Sequence, residues 1–152
     1  MESRKILLTT LSAIIILQLV RPVKNINLVV LSTDISFHSP FPDTVKCILQ
    51  RSCYNCHSNN TVYPWYAEIE PIGWLINFHI VRGKSQLNFS EFYALPKRRQ
   101  FSKLASIANQ LKSDNMPLSS YVFGHPCAKL SEIQKSQILN WISQLSESIK
   151  LK

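Results

Sequence analysis

Two cysteines three residues apart, with a histidine directly after the second, constrain this chain more than any other feature: Cys53-Tyr54-Asn55-Cys56-His57. Thiols at that spacing can each add across one vinyl group of a haem, and the adjacent imidazole can then reach the iron from the same side, which is the c-type haem attachment pattern. On this reading Cys53 and Cys56 carry the thioethers of one covalent haem c, and His57 is the proximal iron ligand. A porphyrin held in this way is a large apolar plate that enlarges the core of a small domain, so short helices wrapped around it are expected.

Three other readings of the motif compete. A zinc site needs about four ligands, and Cys47, Cys127, His38, His79 and His125 supply no second Cys-x-x-Cys or His-x3–5-His pair. A thioredoxin-like dithiol belongs at a helix start within a βαβ pattern, and no alternating strand pattern is visible. A chance match would leave the two cysteines merely buried or disulfide-bonded. Composition narrows the field further. With 152 residues there is room for one domain and appendages. An apolar content of 45% excludes an extended disordered chain. Only three glycines occur, at 73, 83 and 124, and their spacing matches no phosphate-cradling loop.

The amino-terminal stretch Ile6 to Val20 carries no charge and follows Arg4 and Lys5, the order of an export signal. At about 1.5 Å per helical residue it covers roughly 22 Å, short of a ~30 Å hydrocarbon core. Arg21-Pro22-Val23-Lys24 follows where a cleavage site would need small residues, so an uncleaved signal-anchor over residues 1–24 is expected. Residues 25–40 read as a linker and 41–152 as the haem-binding domain. Charges on both flanks leave orientation open by the positive-inside rule. The attachment motif decides it, because bacteria attach c-type haem outside the cytoplasm. Residues 25–152 are therefore expected at the periplasmic face of the inner membrane, anchored by residues 6–20.

Apolar spacing predicts an all-α fold of four to five short helices. The first starts near Pro42 and turns Val45, Ile48 and Leu49 inward before Cys53. The second buries Ile72, Leu75, Ile76, His79 and Ile80 and ends at Gly83. The third starts at Pro96 and buries Phe101, Leu104, Ala105, Ala108 and Leu111. The last opens with Ser131 and Gln134 as a capping box and buries Ile138, Trp141, Ile142 and Leu145. Ser113-Asp114-Asn115-Met116-Pro117 has turn composition. Arg82, Lys84, Lys97, Arg98, Arg99 and Lys103 cluster either as a solvated helix start or as a docking patch for an acidic partner. No nucleic-acid reader motif accompanies them.

From about Asp34 to Ile142 the sequence resembles the haem-binding domain family of small exported bacterial c-type cytochromes. The resemblance rests on Cys53-Tyr54-Asn55-Cys56-His57-Ser58-Asn59, Tyr63-Pro64-Trp65-Tyr66, Asn88-Phe89-Ser90-Glu91-Phe92, Met116-Pro117-Leu118, and His125-Pro126 ahead of Ala128-Lys129-Leu130. It implies one c-type haem in a cytochrome c-like bundle, often behind an amino-terminal anchor. Met116-Pro117 is similar to the distal-ligand loop of many bacterial class I cytochromes, which makes Met116 the first candidate for the sixth iron ligand. His79 is the alternative, with His125 and His38 behind it. The reading that follows is an electron carrier between periplasmic redox partners, and no catalytic acid–base constellation stands out. The alternative is a haem peroxidase or small-ligand sensor with an open or labile sixth position.

Three smaller expectations complete the reading. A backbone carbonyl between Asn60 and Pro71 is expected to accept from the second ring nitrogen of His57. Trp65, Tyr66, Trp74 and Trp141 are candidates for pocket walls or haem carboxylate partners, or else plain core. Cys47 and Cys127 depart from the family pattern; a disulfide between them would constrain the unfolded chain by roughly 4–5 kcal/mol, and two buried free thiols are the alternative.

Overall fold

The uncharged stretch after Lys5 forms helix α1 (Glu2–Leu17), in a computed structural model that describes residues 2–27, 29–37 and 41–151. None of the residues of α1 is buried. No helix among the described residues is long and apolar enough to cross a membrane, and this overturns the expected amino-terminal membrane anchor. The physical reason lies at the helix end. At about 1.5 Å per residue, a helix that stops at Leu17 falls short of a bilayer core, and Gln18 is taken up by the rest of the chain. Its side chain donates to the Glu70 carbonyl at 3.0 Å and accepts from the Glu70 N–H at 3.0 Å.

The chain beyond α1 is stitched to the loop that follows the Cys-His motif. Arg21 pairs with Glu68 at 2.7 Å, and Lys24 with the same carboxylate. Asn25 is a hub: its N–H donates to Tyr63 Oη, its Nδ2 to the Ser58 carbonyl and to Thr61 Oγ1, and its Oδ1 accepts from Lys84 Nζ. Part of the segment read as a linker is core. Ile35 is fully buried and donates its N–H to the Phe89 carbonyl at 3.0 Å, while Asp34 is buried and accepts from Ser36. His38 lies outside the described residues.

Helix α2 (Asp43–Leu49) buries Val45, Ile48 and Leu49 as expected. It runs into a π-helical turn at Gln50–Tyr54 and then into the single turn α3 (Asn55–His57). Helices α4 (Ile72–Gln86), α5 (Lys97–Lys112), α6 (Ser119–Gly124) and α7 (Glu132–Lys150) follow, with short 3-10 turns between α4 and α5 and between α6 and α7 and a loop between α5 and α6. No strand occurs among the described residues, only the isolated bridge Ile26–Asn60, so the all-α expectation holds. The core gathers Leu49, Phe89, Phe92, Leu104, Ile138, Trp141 and Leu145 between α2, α5 and α7. The capping box at Ser131 and Gln134 is present, and α7 buries all four expected residues and Ile149 besides.

Three details differ from the sequence reading. Helix α4 passes through Gly83 to Gln86, and of its expected inner face Ile80 is buried while Ile72 and Leu75 are exposed. On α5, Ala105 is exposed and Gln100 is buried instead. That amide is affordable inside because its Nε2 donates to the Leu95 carbonyl at 2.7 Å. Helix α6 has no periodic apolar signal to announce it. Leu104→Ala, at a position 1% exposed, is expected to cost about 2–5 kcal/mol in urea denaturation of the full chain. Ile133→Ala, at a position 73% exposed, is expected to change stability by no more than about 0.5 kcal/mol.

Candidate functional site

The π-helical turn sets the geometry of the motif. A π turn inserts one residue into the helical path, and such turns are frequent at functional sites. Here it carries Cys53 at one end of a helix-like path whose other end is His57, so Cys53, Cys56 and His57 line one cleft. The cleft has a volume of about 480 Å³, within the ~300–1,000 Å³ typical of cofactor pockets. Its facing walls come from α4 through Phe78, His79, Arg82 and Gly83, and from the loop after α5 through Asn115, Met116 and Pro117.

Two smaller lobes adjoin it. One, lined by Ile72, Leu75, Ile76, His79 and Ile80 of α4, explains why that helix leaves Ile72 and Leu75 uncovered by protein. The other reaches Lys103, Ile107 and Leu111 of α5 and again includes Cys53, His57 and Met116. An apolar stripe turned into a cleft beside two thiols and an imidazole fits an apolar plate better than it fits water.

His57 is prepared as a ligand. Its Nδ1 lies 3.0 Å from the Leu87 carbonyl; since a carbonyl only accepts, Nδ1 carries the proton and Nε2 keeps a free lone pair. Burial holds the imidazole below its ordinary value, and the Leu87 and Gly83 carbonyls pull it partly back. The acceptor is therefore Leu87, not a carbonyl of the Asn60–Pro71 loop. Leu87 closes α4 in an extended conformation, which brings its carbonyl to the imidazole.

Close approach of α3 to α4 makes this contact, and Gly83 permits it. A Cβ at Gly83 would stand 2.6 Å from the Cys56 carbonyl oxygen. Gly83→Ala is expected to push α3 outward, at a cost of about 1–3 kcal/mol, and to lower the yield of attached haem. Both are measured on the full chain, by denaturation and by haem absorbance per protein.

The motif is braced on its other side by residues that also carried the family resemblance. Asn59 donates its N–H to Ser90 Oγ and its Nδ2 to Glu91 Oε1, and its Oδ1 accepts from Asn88 Nδ2. This network seats Phe89 against the motif, stacked on Tyr54 at 5.0 Å and edge-on to His57 at 6.3 Å. Tyr54 in turn donates to the buried Asp34 at 3.5 Å.

Burial disfavours the thiolate form of both cysteines. Burial, and then the neighbouring Cys56, push the Cys53 thiol up to about 12, and burial raises Cys56 as well. A redox dithiol needs the opposite shift. Among the described residues no group of three or more His, Cys, Asp or Glu assembles as a metal cage, which removes support from the zinc reading.

Met116 and His79 thus share the cleft with Cys53, Cys56 and His57. His125 stands aside in the α4–α6 lobe, stacked on Tyr121 at 4.3 Å, with its Nδ1 3.1 Å from the Tyr121 carbonyl. Cys47 and Cys127, read either as a possible disulfide or as buried free thiols, stand as exposed free thiols. Val45, Ile48 and Leu49 take the inward positions of α2 and leave Cys47 outside. Of the aromatic candidates only Tyr66 reaches a lobe of the cleft; Trp65 is exposed, the Trp74 indole donates to the Val20 carbonyl, and Trp141 is core.

Tyr121 and Asn55 were not singled out from the sequence as site residues. Asn55 Nδ2 donates to Tyr121 Oη at 2.8 Å, and the Asn55 Oδ1 accepts from the Val62 N–H. The motif's variable middle position therefore ties α6 and the following loop to the cleft. Nothing in the local sequence marks that role.

A family model described as a haem-binding domain matches residues 12–144. No curated protein and no solved structure matches the chain.

Proposed function

The chain belongs to the haem-binding domain family, and from that membership and the cleft we propose that it is a c-type electron carrier with one covalent haem. The observation that carries the reading is that Cys53, Cys56, His57 and Met116 line a single cleft. Cys53 and Cys56 would hold the group through thioethers, His57 through Nε2, and Met116 from the opposite side. Bound there, a haem supplies a one-electron ferric/ferrous couple.

The chain's own residues suit that task more than turnover of a substrate. Leu87 fixes the tautomer and orientation of His57. The Met116 thioether is a soft donor that favours the reduced ion. The apolar side chains of α4, Phe78 among them, would keep water from a bound group. Among the described residues no carboxylate lines the cleft or the two lobes beside it, so peroxide chemistry would have no acidic side chain there to move its protons. The charged-then-apolar start of the chain supports export, and with it haem attachment outside the cytoplasm.

Cyanide addition to the oxidised full chain, matured with c-type attachment machinery, tests the electron-carrier reading. A spectrum that stays unchanged over minutes is expected. Immediate conversion to a cyanide complex would mean an open sixth position and favour the small-ligand or peroxidase reading.

A further inference from the structure

Helix α5 carries Lys97, Arg98, Arg99, Lys103 and Lys112 and no Asp or Glu along its sixteen residues. Three of the five follow one another in the first turn, where the positive end of the helix dipole and their mutual repulsion both disfavour cations. Folding does not recover that cost through ion pairs. Among the described residues the ion pairs belong to Arg21, Lys24, Lys135 and Lys150. The acid that follows α5 in the chain, Asp114, is taken by Lys135.

The position of the helix supplies a reason that its stability does not. Lys103, Ser106 and Gln110 line the lobe that holds Cys53, His57 and Met116. Arg99 stands four residues before Lys103, on the same ridge of the helix. From the facing wall α4 contributes Arg82, whose guanidinium lies over the Phe78 ring at 6.0 Å and in no ion pair. Lys84 is not part of this surface, because it is bonded to Asn25. Lys103 and Arg82 thus put cations on two walls of the cleft, and among the described residues no carboxylate lines the cleft or this lobe.

We propose that Lys97, Arg98, Arg99 and Lys103 of α5, with Arg82 of α4, form the docking surface for an acidic redox protein. The inference rests on the electron-carrier reading and names the chemistry of its partner. One electron leaves the reduced chain and reduces the docked protein by one equivalent. Charge of this kind raises encounter rates by about 10–1,000-fold and fades as salt screens it.

The test uses the haem-bearing full chain, reduced, and follows its oxidation by stopped flow with two one-electron oxidants of opposite charge. These are ferricyanide, which becomes ferrocyanide, and tris(phenanthroline)cobalt(III), which becomes the cobalt(II) complex. In the variant Lys97→Glu, Arg98→Glu, Arg99→Glu the ferricyanide rate is expected to fall about tenfold or more at low ionic strength, and the cobalt rate to rise. The melting temperature should not drop, since acids suit the first turn of a helix. Lys150→Glu, at the far end of α7, should leave both rates unchanged. Rates in the triple variant within twofold of the parent would overturn the proposal. So would unchanged rates accompanied by lost binding to phosphatidylglycerol vesicles, which would assign the surface to lipid. A chain isolated without covalent haem would defeat the electron-carrier reading itself. The surface is then judged by anisotropy of a fluorescein-labelled octaglutamate peptide, where equal binding by parent and triple variant overturns it.

Discussion

Cys53→Ser combined with Cys56→Ser is expected to abolish covalent haem attachment completely, while either single change leaves the group held by one thioether. The two thiols are the only cysteines in the cleft; Cys47 and Cys127 are exposed and away from it, so neither can substitute. The measurement is haem remaining with the chain after acid–acetone extraction. The double variant should retain none, and each single variant should retain haem with a shifted reduced spectrum, because one vinyl group stays unsaturated. A double variant that keeps its haem through extraction would show that the thiols do not carry it. The haem-free chain should also be less stable, since the α4 stripe of Ile72, Leu75 and Ile76 then faces water.

Met116→Ala should open the other face of the iron. Three changes are expected together: loss of the weak far-red methionine-to-ferric band, rapid cyanide binding, and a lower midpoint potential. The soft thioether favours ferrous iron. Its loss should shift the ferric/ferrous balance at least tenfold, about 59 mV for a one-electron couple. His79→Ala lines the same cleft from α4 and separates the two candidate ligands. If Met116 is the ligand, His79→Ala keeps the far-red band and resists cyanide. The reverse pattern, with Met116→Ala silent and His79→Ala opening the iron, would assign the sixth position to His79 and predict a lower potential in the parent protein.

Local patterns were legible in the sequence wherever one element decided the outcome. Val45, Ile48 and Leu49 of α2 and the Ser131–Gln134 capping box of α7 follow from spacing and side-chain chemistry alone. Long-range partners were not legible. Leu87 as the acceptor for His57, Gly83 as the point of close approach to Cys56, and Asn25 as a hub between Tyr63, Thr61 and Lys84 all depend on how distant segments meet.

The apolar stripe of α4 is periodic as expected and Ile80 is buried, but Ile72 and Leu75 are left exposed by the protein. Their partner on this account is the cofactor, and a pattern in the chain cannot say which of the two will cover them. The amino-terminal stretch gave the opposite error. A run of apolar residues suggested a membrane anchor, but the helix ends at Leu17, too short to cross a membrane, and Gln18 then bonds to Glu70. Residues 25–40 read as linker from their polar composition, yet Asp34 and Ile35 are buried against the segment that carries Phe89. Composition averaged over a segment hides two residues of that kind.

The most direct test of the account is the pyridine haemochrome spectrum of the full chain, matured with c-type attachment machinery and taken after acid–acetone extraction. The account predicts one haem per chain that stays with the protein, with the spectrum of a haem whose two vinyl groups are both saturated. A colourless extracted protein, or haem that leaves with the solvent, would contradict it.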